Sequence, residues 1–122
     1  MANVQVNGIK LNVVERGTGV PLLLAHGFPL DHSMWSGQLD GLSDRCRVIA
    51  PDLRGFGASD VVPGVATMQQ MADDLAGVLD ALAIREPVIF CGLSMGGYVA
   101  WQFALRHRTR LAKLILCDTR AI

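Results

Sequence analysis

PVIFCGLSMGG (residues 87–97) is the stretch that decides the fold of this chain. An apolar run leads to Ser94, which stands between glycines and before a segment of helical character. In this G-x-S-x-G spacing the serine occupies a sharp turn between a strand and a helix, with its hydroxyl exposed above the strand end. The string alone is weak evidence, because small residues are frequent. Its position between an apolar strand and an amphipathic helix predicts an α/β fold with Ser94 as nucleophile; the alternative is a structural serine in a βα turn.

The composition favours a small-molecule partner. Of the 122 residues, 51% are hydrophobic and 18% charged, and 11 Lys and Arg balance 11 Asp and Glu. Binding to nucleic acid or to a membrane surface depends on clustered positive charge, which this balance does not supply. No apolar run reaches the roughly 18 residues that a membrane span needs. We therefore expect one domain over residues 1–122 that binds neither nucleic acid nor membrane.

Three cysteines, Cys46, Cys91 and Cys117, show no C-x-x-C spacing. An odd number in a chain of this length does not suggest a disulfide framework. We interpret them as buried free thiols of a cytoplasmic protein, and we expect no metal and no cofactor.

Short apolar runs predict about six strands. Residues 4–6 and 9–15 flank Asn7-Gly8, a dipeptide that suits a two-residue hairpin turn, so these two strands are expected to be antiparallel. The later runs lie at residues 21–25, 47–50, 88–91 and 111–117. Their apolar residues are nearly continuous, which is typical of parallel strands buried on both faces.

Helical periodicity fills the gaps between these strands. Thr67 and Gln70 form a capping-box pattern at the start of a helix. Its apolar stripe consists of Met68, Met71, Leu75, Val78, Leu79 and Leu82. Asp73 and Asp74 lie near its start, where negative charge is favoured. Further helices are expected over residues 34–42 and 95–107, which gives an α/β domain with helices on both faces of a mostly parallel sheet.

The segment His26-Gly27-Phe28-Pro29 follows the run that ends at residue 25. Gly27 is expected to adopt an unusual backbone that turns the N–H of Phe28 toward Ser94. The N–H of Met95 begins the helix after the serine, so these two donors would form an oxyanion hole. We expect His26 to hold the loop rather than to transfer protons.

Residues Phe28, Leu30 and Trp35 are candidate walls of an acyl pocket, although aromatic residues near a helix start are often ordinary core. Gly92 and Gly96 would keep Cβ atoms out of the turn at Ser94.

A third loop, Asp52-Leu53-Arg54-Gly55-Phe56-Gly57-Ala58-Ser59, follows the run that ends at residue 50. We expect it to be architectural, with Asp52 and Arg54 paired and bonded to loop backbone. It does not fit a dinucleotide-binding loop, because Asp60 stands where the third glycine of G-x-G-x-x-G belongs.

These three motifs in this order resemble the N-terminal half of the α/β-hydrolase fold. The chain is most similar to the branch of small carboxylesterases, β-ketoadipate enol-lactone hydrolases and cofactor-free haloperoxidases and perhydrolases. The resemblance covers essentially the whole chain. It implies Ser94 as the nucleophile, Phe28 and Met95 as backbone oxyanion donors, and a small-molecule ester or lactone as substrate. It also implies that the cap and the last two strands lie outside these residues.

The chain departs from the family in its proton-transfer groups. The family order is serine, acid, histidine, yet only His107 follows Ser94. The intervening helix of about 13 residues would place His107 roughly 18 Å away. Asp118 is more easily interpreted as a turn-capping residue than as the acid, and the family gives His32 no role as base. The isolated chain is therefore expected to be inactive or weakly active.

If the cap and the last two strands lie outside these residues, the strand over residues 111–117 is left exposed at the edge of the sheet. Unpaired strand edges recruit partners or aggregate. We expect a homo-oligomer, or association with a C-terminal fragment, through Leu111–Cys117.

Three functions remain open from the sequence. The first is a serine hydrolase of esters or lactones. The second is a noncatalytic folded fragment or oligomerisation module that keeps the turn at Ser94 as architecture. The third is a binder that uses the oxyanion hole as an anion site.

Overall fold

A mixed six-stranded sheet forms the centre of the computed structural model, which describes residues 2–120. The strands are β1 (Ala2–Val6), β2 (Ile9–Arg16), β3 (Val20–Ala25), β4 (Cys46–Pro51), β5 (Val88–Leu93) and β6 (Leu111–Cys117). Their order across the sheet is β1-β2-β4-β3-β5-β6. The pairs β1–β2 and β2–β4 are antiparallel, and the other three pairs are parallel. The predicted mostly parallel sheet with an antiparallel first hairpin is confirmed.

The first hairpin turns at Asn7 and Gly8. Both residues have positive φ, 46° and 81°, as a type I′ turn requires. Val6 therefore pairs with Ile9, and the turn sets the register of the two strands.

Three α-helices connect the strands, and each overlaps a predicted helix, but the helix expected over residues 34–42 is shorter than predicted and begins after a 3₁₀ turn. A 3₁₀ turn (His32–Trp35) leads into α1 (Ser36–Gly41), α2 covers Met68–Ala81, and α3 covers Met95–Arg106. The capping box is present: Thr67 Oγ1 accepts from the Gln70 N–H, and Gln70 Oε1 accepts from the Thr67 N–H, both at 3.0 Å. The local sequence thus determines where α2 begins.

The core has two parts, one on each face of the sheet. Leu23 and Ala25 pack in the cluster that includes α2 and α3, whereas Leu22 and Leu24 pack in the cluster that includes Trp35 of the 3₁₀ turn. Successive residues of a strand point to opposite faces. Burial of both faces explains why β3 is apolar at every one of these positions.

Strand β6 lies at one edge of the described sheet, where its neighbour is β5. Ile115 on this strand is 46% exposed. The predicted exposed edge is therefore present in residues 2–120.

The cysteines are less uniformly buried than we expected. Cys91 is buried, but Cys46 and Cys117 are half-buried. Burial, with the neighbouring Cys117 thiol 3.9 Å away, raises the pKa of Cys91 to about 12. The Cys91 thiol is therefore protonated at neutral pH. The cytoplasmic location that we inferred from the cysteines stays a prediction.

Hydrogen bonds between charged side chains join α2 to the C-terminal end of α3. Asp73 accepts hydrogen bonds from Arg106 at 2.7 and 2.9 Å and contacts Nε2 of His107 at 2.7 Å. Asp73 and Asp74 lie beyond the first turn of α2, so the expected stabilisation of the helix start by their charge was wrong. Their partners lie elsewhere in the fold, and sequence spacing did not reveal them.

This contact predicts a loss of stability in acid. The hydrogen bonds from Arg106, which outweigh burial, lower the pKa of Asp73 from 3.8 to about 2. Because the pKa is lower in the folded state, the carboxylate stabilises the fold above pH about 3.8, and this contribution is lost as the pH falls through about 2. Urea unfolding of the native chain and of Asp73→Asn should give free energies that differ at neutral pH and converge in acid. Asp44→Asn, at an exposed carboxylate, is the matched control, and a gap that stays constant with pH would contradict the assignment.

Candidate active site

Four strand ends meet at one edge of the sheet. Strands β4, β3, β5 and β6 are adjacent and parallel, so the segments after them share an edge. Asp52 follows β4, His26 follows β3, Ser94 follows β5, and Thr119 lies just beyond β6. Ligands of open α/β sheets bind at this carboxyl edge.

Ser94 has a strained backbone and an exposed position. Its φ and ψ are 52° and −111°, outside the regions that a residue with a side chain normally occupies. Such a conformation costs about 1–3 kcal/mol and persists only where the surrounding structure holds it. Ser94 is the N-cap residue of α3, yet its side chain makes no capping hydrogen bond. The hydroxyl is therefore not engaged with its own helix.

Close packing at Gly96 brings α3 against the end of β3. A Cβ atom at Gly96 would overlap the carbonyl oxygen of Ala25 and lie 2.8 Å from that of His26. A Cβ atom at Gly92 would overlap the carbonyl oxygen of Gly96. The turn at Ser94 therefore has no room for side chains at these two positions.

The N-terminus of α3 offers unpaired N–H donors. The helix begins at Met95, and the first N–H groups of a helix have no acceptor within it. Of these first N–H groups, that of Gly97 is bonded, because it donates to the carbonyl oxygen of Ser94 at 2.9 Å. Helix N-termini attract negative charge, so this end of α3 suits an anionic group.

His26 is fully buried and uses both ring nitrogens. Its Nε2 accepts from the N–H of Leu53 at 3.0 Å, so the proton lies on Nδ1, which donates to the carbonyl oxygen of Gly27 at 2.9 Å. Burial lowers the pKa of His26, although the bond to Gly27 acts in the opposite direction. A neutral imidazole with both nitrogens occupied supports the loop and has no site left for proton transfer.

Gly27 contacts the turn that carries Ser94. A Cβ atom at Gly27 would lie 3.3 Å from the carbonyl oxygen of Leu93 and 3.5 Å from Cβ of Ser94. Gly27 does not have the positive φ of the turn glycines, so an unusual backbone is not what the position requires. The small size of glycine lets this loop approach the turn at Ser94, and Phe28 is the next residue of the loop.

The candidate pocket residues differ in exposure. Phe28 is 69% and Leu30 44% exposed, and the Phe28 ring packs edge-on against Phe56 with centroids 5.8 Å apart. Trp35 is only 6% exposed and belongs to the core cluster that includes Leu22 and Leu24. A role for these three residues as pocket walls stays a prediction.

Asp52 is the buried acceptor that joins the loops after β3 and β4. Its Oδ1 contacts N and Nδ1 of His32 at 2.7 and 2.8 Å, and its Oδ2 accepts from Asn12 at 3.0 Å and from the Ala58 N–H at 2.9 Å. Burial by itself raises the pKa of Asp52, but these hydrogen bonds outweigh it and place the pKa of the carboxyl below its usual value. The carboxylate is charged and satisfied on both oxygens.

The expected pair of Asp52 and Arg54 was wrong. Arg54 instead makes two hydrogen bonds, at 2.8 and 2.9 Å, to Asp74 on α2. Asp74 is 1% exposed and also accepts from Asn7 at 3.0 Å. Arg54 therefore ties its loop to the helix and to the first hairpin, because the donors around Asp52 already occupy that carboxylate.

Asp31, His32 and Asp52 are the described residues whose ligand atoms lie close enough to hold a cation, within 4.8 Å of one another. The hydrogen bonds to Asp52 account for this proximity without an ion. The expectation of no metal stays a prediction.

The histidines of the chain lie apart from the hydroxyl of Ser94 or are already engaged. His107 follows the 12-residue helix α3, about 18 Å along its axis, and contacts Asp73. His32 contacts Asp52 through Nδ1, and both ring nitrogens of His26 are hydrogen-bonded, to Gly27 and Leu53. Within residues 2–120, the hydrogen-bonded partners of Ser94 are Cys117, Gly97 and Thr119 rather than a histidine.

The sequence matches the family described as the alpha/beta hydrolase fold over residues 20–122. The chain belongs to this family. Among residues 2–120, no helix combines the length and the apolar character that a membrane span requires.

Three similar proteins show the range of the family. The chain resembles the solved structure of a thermophilic esterase from Thermogutta terrifontis, with a TM-score of 0.93 and 56% identity over 98% of this chain and 46% of that one. It is 41% identical to epoxide hydrolase 3 of Siraitia grosvenorii over 92% of this chain and 36% of the relative. It is 32% identical to 3-oxoadipate enol-lactonase 1 of Acinetobacter baylyi over 98% of this chain and 41% of the relative. The chain thus spans less than half the length of these hydrolases.

The packing at Gly96 predicts that a methyl group added at this position destabilises the fold. Gly96→Ala should lower the free energy of unfolding by about 1–3 kcal/mol, because the new Cβ overlaps backbone that cannot move freely. Gly37→Ala is the matched control: it lies within α1 with open space around it, and it should raise stability by about 0.5–1 kcal/mol. Urea unfolding measures both. Equal effects of the two substitutions would show that the close approach at Gly96 is not as described.

Proposed function

We propose that the chain carries the nucleophile and oxyanion hole of a serine hydrolase that cleaves carboxylic esters or lactones. The observation that carries this proposal is the exposed, strained Ser94 at the N-terminus of α3, whose hydroxyl makes no capping bond. A residue at such a backbone conformation, held at a ligand-binding edge, is typical of a nucleophile.

The proposed reaction proceeds through an acyl-enzyme. Ser94 Oγ attacks the carbonyl carbon of the substrate and gives its proton to a histidine base. The N–H groups of Met95 and Phe28 donate to the oxyanion of the tetrahedral intermediate. The leaving alcohol takes the proton, and the acyl group stays on Ser94 until water releases it as a carboxylic acid. Loss of one oxyanion donor typically lowers the rate about 100–1000-fold.

The oxyanion donors are supported by the contact of Gly27 with the turn at Ser94. Phe28 is the next residue, so its N–H lies on the segment that touches the nucleophile. Met95 is the first residue of α3, where a backbone N–H has no helical acceptor. The two proposed donors follow different strands, β3 and β5, whose carboxyl ends are adjacent because the strands pair in parallel.

The histidine base and the acid are proposed to come from polypeptide outside these 122 residues. The three histidines of the chain are engaged or distant, and its hydrolase relatives are more than twice as long. Without a base the serine stays protonated and is a weak nucleophile. The isolated chain is therefore expected to be inactive or weakly active.

Ester or lactone cleavage fits Ser94 better than epoxide hydrolysis, although several similar proteins are epoxide hydrolases. A serine oxygen that opens an epoxide would form an ether, which water does not cleave under mild conditions. A serine oxygen that attacks an ester forms a new ester, which water can hydrolyse. Only the second reaction returns the enzyme.

A chimera tests this function. Residues 1–122 would replace the matching segment of the Thermogutta terrifontis esterase, with which they share 56% identity. The chimera should hydrolyse p-nitrophenyl acetate and react with a fluorophosphonate at Ser94, whereas Ser94→Ala should lower turnover by a factor of about a million, the loss typical of a missing triad residue. Ser43→Ala, in the turn before β4 and therefore at the amino end of that strand, is the control substitution.

The outcomes separate the candidate functions. A well-folded chimera that neither turns over ester nor labels at Ser94 would favour the noncatalytic module. Affinity for carboxylates without turnover would favour the anion-binding alternative. The chain alone, measured beside the chimera, shows how much activity its own residues supply.

We further propose that the edge strand Leu111–Cys117 pairs with another strand, from a second copy or from a C-terminal fragment. The support is its place at the edge of the described sheet and the exposure of Ile115. Light scattering of the 122-residue chain should show a mass above that of one chain. Ile115→Lys, which places a charge on the edge, should shift the population toward monomer. A monodisperse monomer of the native chain at high concentration would contradict pairing with a second copy.

A further inference from the structure

The backbone of Ser94 is held from the end of β6. Its N–H donates to the carbonyl oxygen of Cys117 at 3.0 Å. Its carbonyl oxygen accepts from the hydroxyl of Thr119 at 2.8 Å. The N–H and the carbonyl oxygen of the strained residue are thus bonded to the last residue of β6 and to a residue just beyond it.

Asp118 makes this arrangement possible. It has a positive φ of 47°, which turns the chain at the end of β6. The next residue, Thr119, is half-buried beside the first turn of α3. A Cβ atom at Gly97 would lie 2.5 Å from Cγ2 and 2.6 Å from Cβ of Thr119. The threonine occupies the space that a side chain at position 97 would need.

We propose that Thr119 is a positioning residue that holds Ser94 in its nucleophilic conformation. The proposal rests on the proposed hydrolase function, because it assigns a task at the same site. The hydroxyl of Thr119 donates a hydrogen bond to the carbonyl oxygen of Ser94. Thr119 therefore acts on the backbone of Ser94 and not on the reacting Oγ. Without this bond, Ser94 can relax toward a common φ and ψ, which would move its Oγ and the N–H of Met95 away from one substrate carbonyl.

Solvent exchange of the Ser94 amide tests whether Thr119 holds the turn without any measurement of catalysis. Its bond to Cys117 lasts only while the turn keeps its shape, so exchange of this N–H with solvent measures local opening. Thr119 does not bond to that N–H itself. Faster exchange after a change at Thr119 would therefore reflect the conformation of Ser94.

Three substitutions separate the hydroxyl from simple packing. Thr119→Val keeps the shape and removes the donor, whereas Thr119→Ser keeps the donor. Thr109→Val, at an exposed threonine in the 3₁₀ turn Arg108–Arg110 after α3, makes the same chemical change away from the site. Activity is measured in the chimera at temperatures well below each unfolding midpoint, and amide exchange is measured in the 122-residue chain.

Thr119→Val should lower kcat about tenfold without a matching rise in KM, and the amide of Ser94 should exchange about tenfold faster. Thr119→Ser should restore most of both properties, and Thr109→Val should change neither. Native values in Thr119→Val, or equal losses in Thr119→Ser, would overturn the proposal. If the chimera has no Ser94-dependent activity, the proposed function fails, and the exchange rates alone still decide whether the Thr119 hydroxyl holds the turn.

Discussion

The lack of a side chain at Gly96 is the constraint on which the candidate site depends. It lets α3 begin in contact with the carbonyl groups of Ala25 and His26, so the start of α3 lies closer to the end of β3 than a side chain at this position would permit. The helix is then fixed by Val99 and Phe103, which are fully buried. A rigid helix that starts this close to β3 restricts the conformation of Ser94, and this packing acts together with the hydrogen bonds with Cys117 and Thr119 to maintain the strain.

Two buried carboxylates hold the loops around this centre. Asp52 is fully buried and Asp74 is 1% exposed, and each is surrounded by N–H donors from segments far apart in the sequence. A buried charge without partners would be strongly destabilising, whereas one with its lone pairs satisfied makes its loops rigid. Asp52 fixes the loop after β3 through His32, and Asp74 fixes the loop after β4 through Arg54. The site is thus shaped by polar networks outside it.

Features that depend on neighbouring residues could be predicted from the sequence. The hairpin at Asn7 and Gly8 and the capping box at Thr67 are decided within four residues, and both are present. The partner of Arg54 could not be found this way, because Asp52 is near in sequence but is already occupied by Asn12 and His32. Weak signals did exist: Asn12 interrupts an apolar strand, and Asp74 interrupts the apolar stripe of α2. A polar residue at a buried position requires a partner, yet it does not say which one.

The sequence by itself determined the order of strands and helices, the turn at Ser94 and membership of the α/β class, because alternation, capping and small residues act over short distances. Only the tertiary structure decided that Thr119 donates to Ser94, that Gly27 touches the turn, and that both nitrogens of His26 are occupied. These contacts join residues that lie up to 67 positions apart, as Gly27 and Ser94 do. They exist because parallel strands place their carboxyl ends side by side, and no local pattern encodes which strands become neighbours.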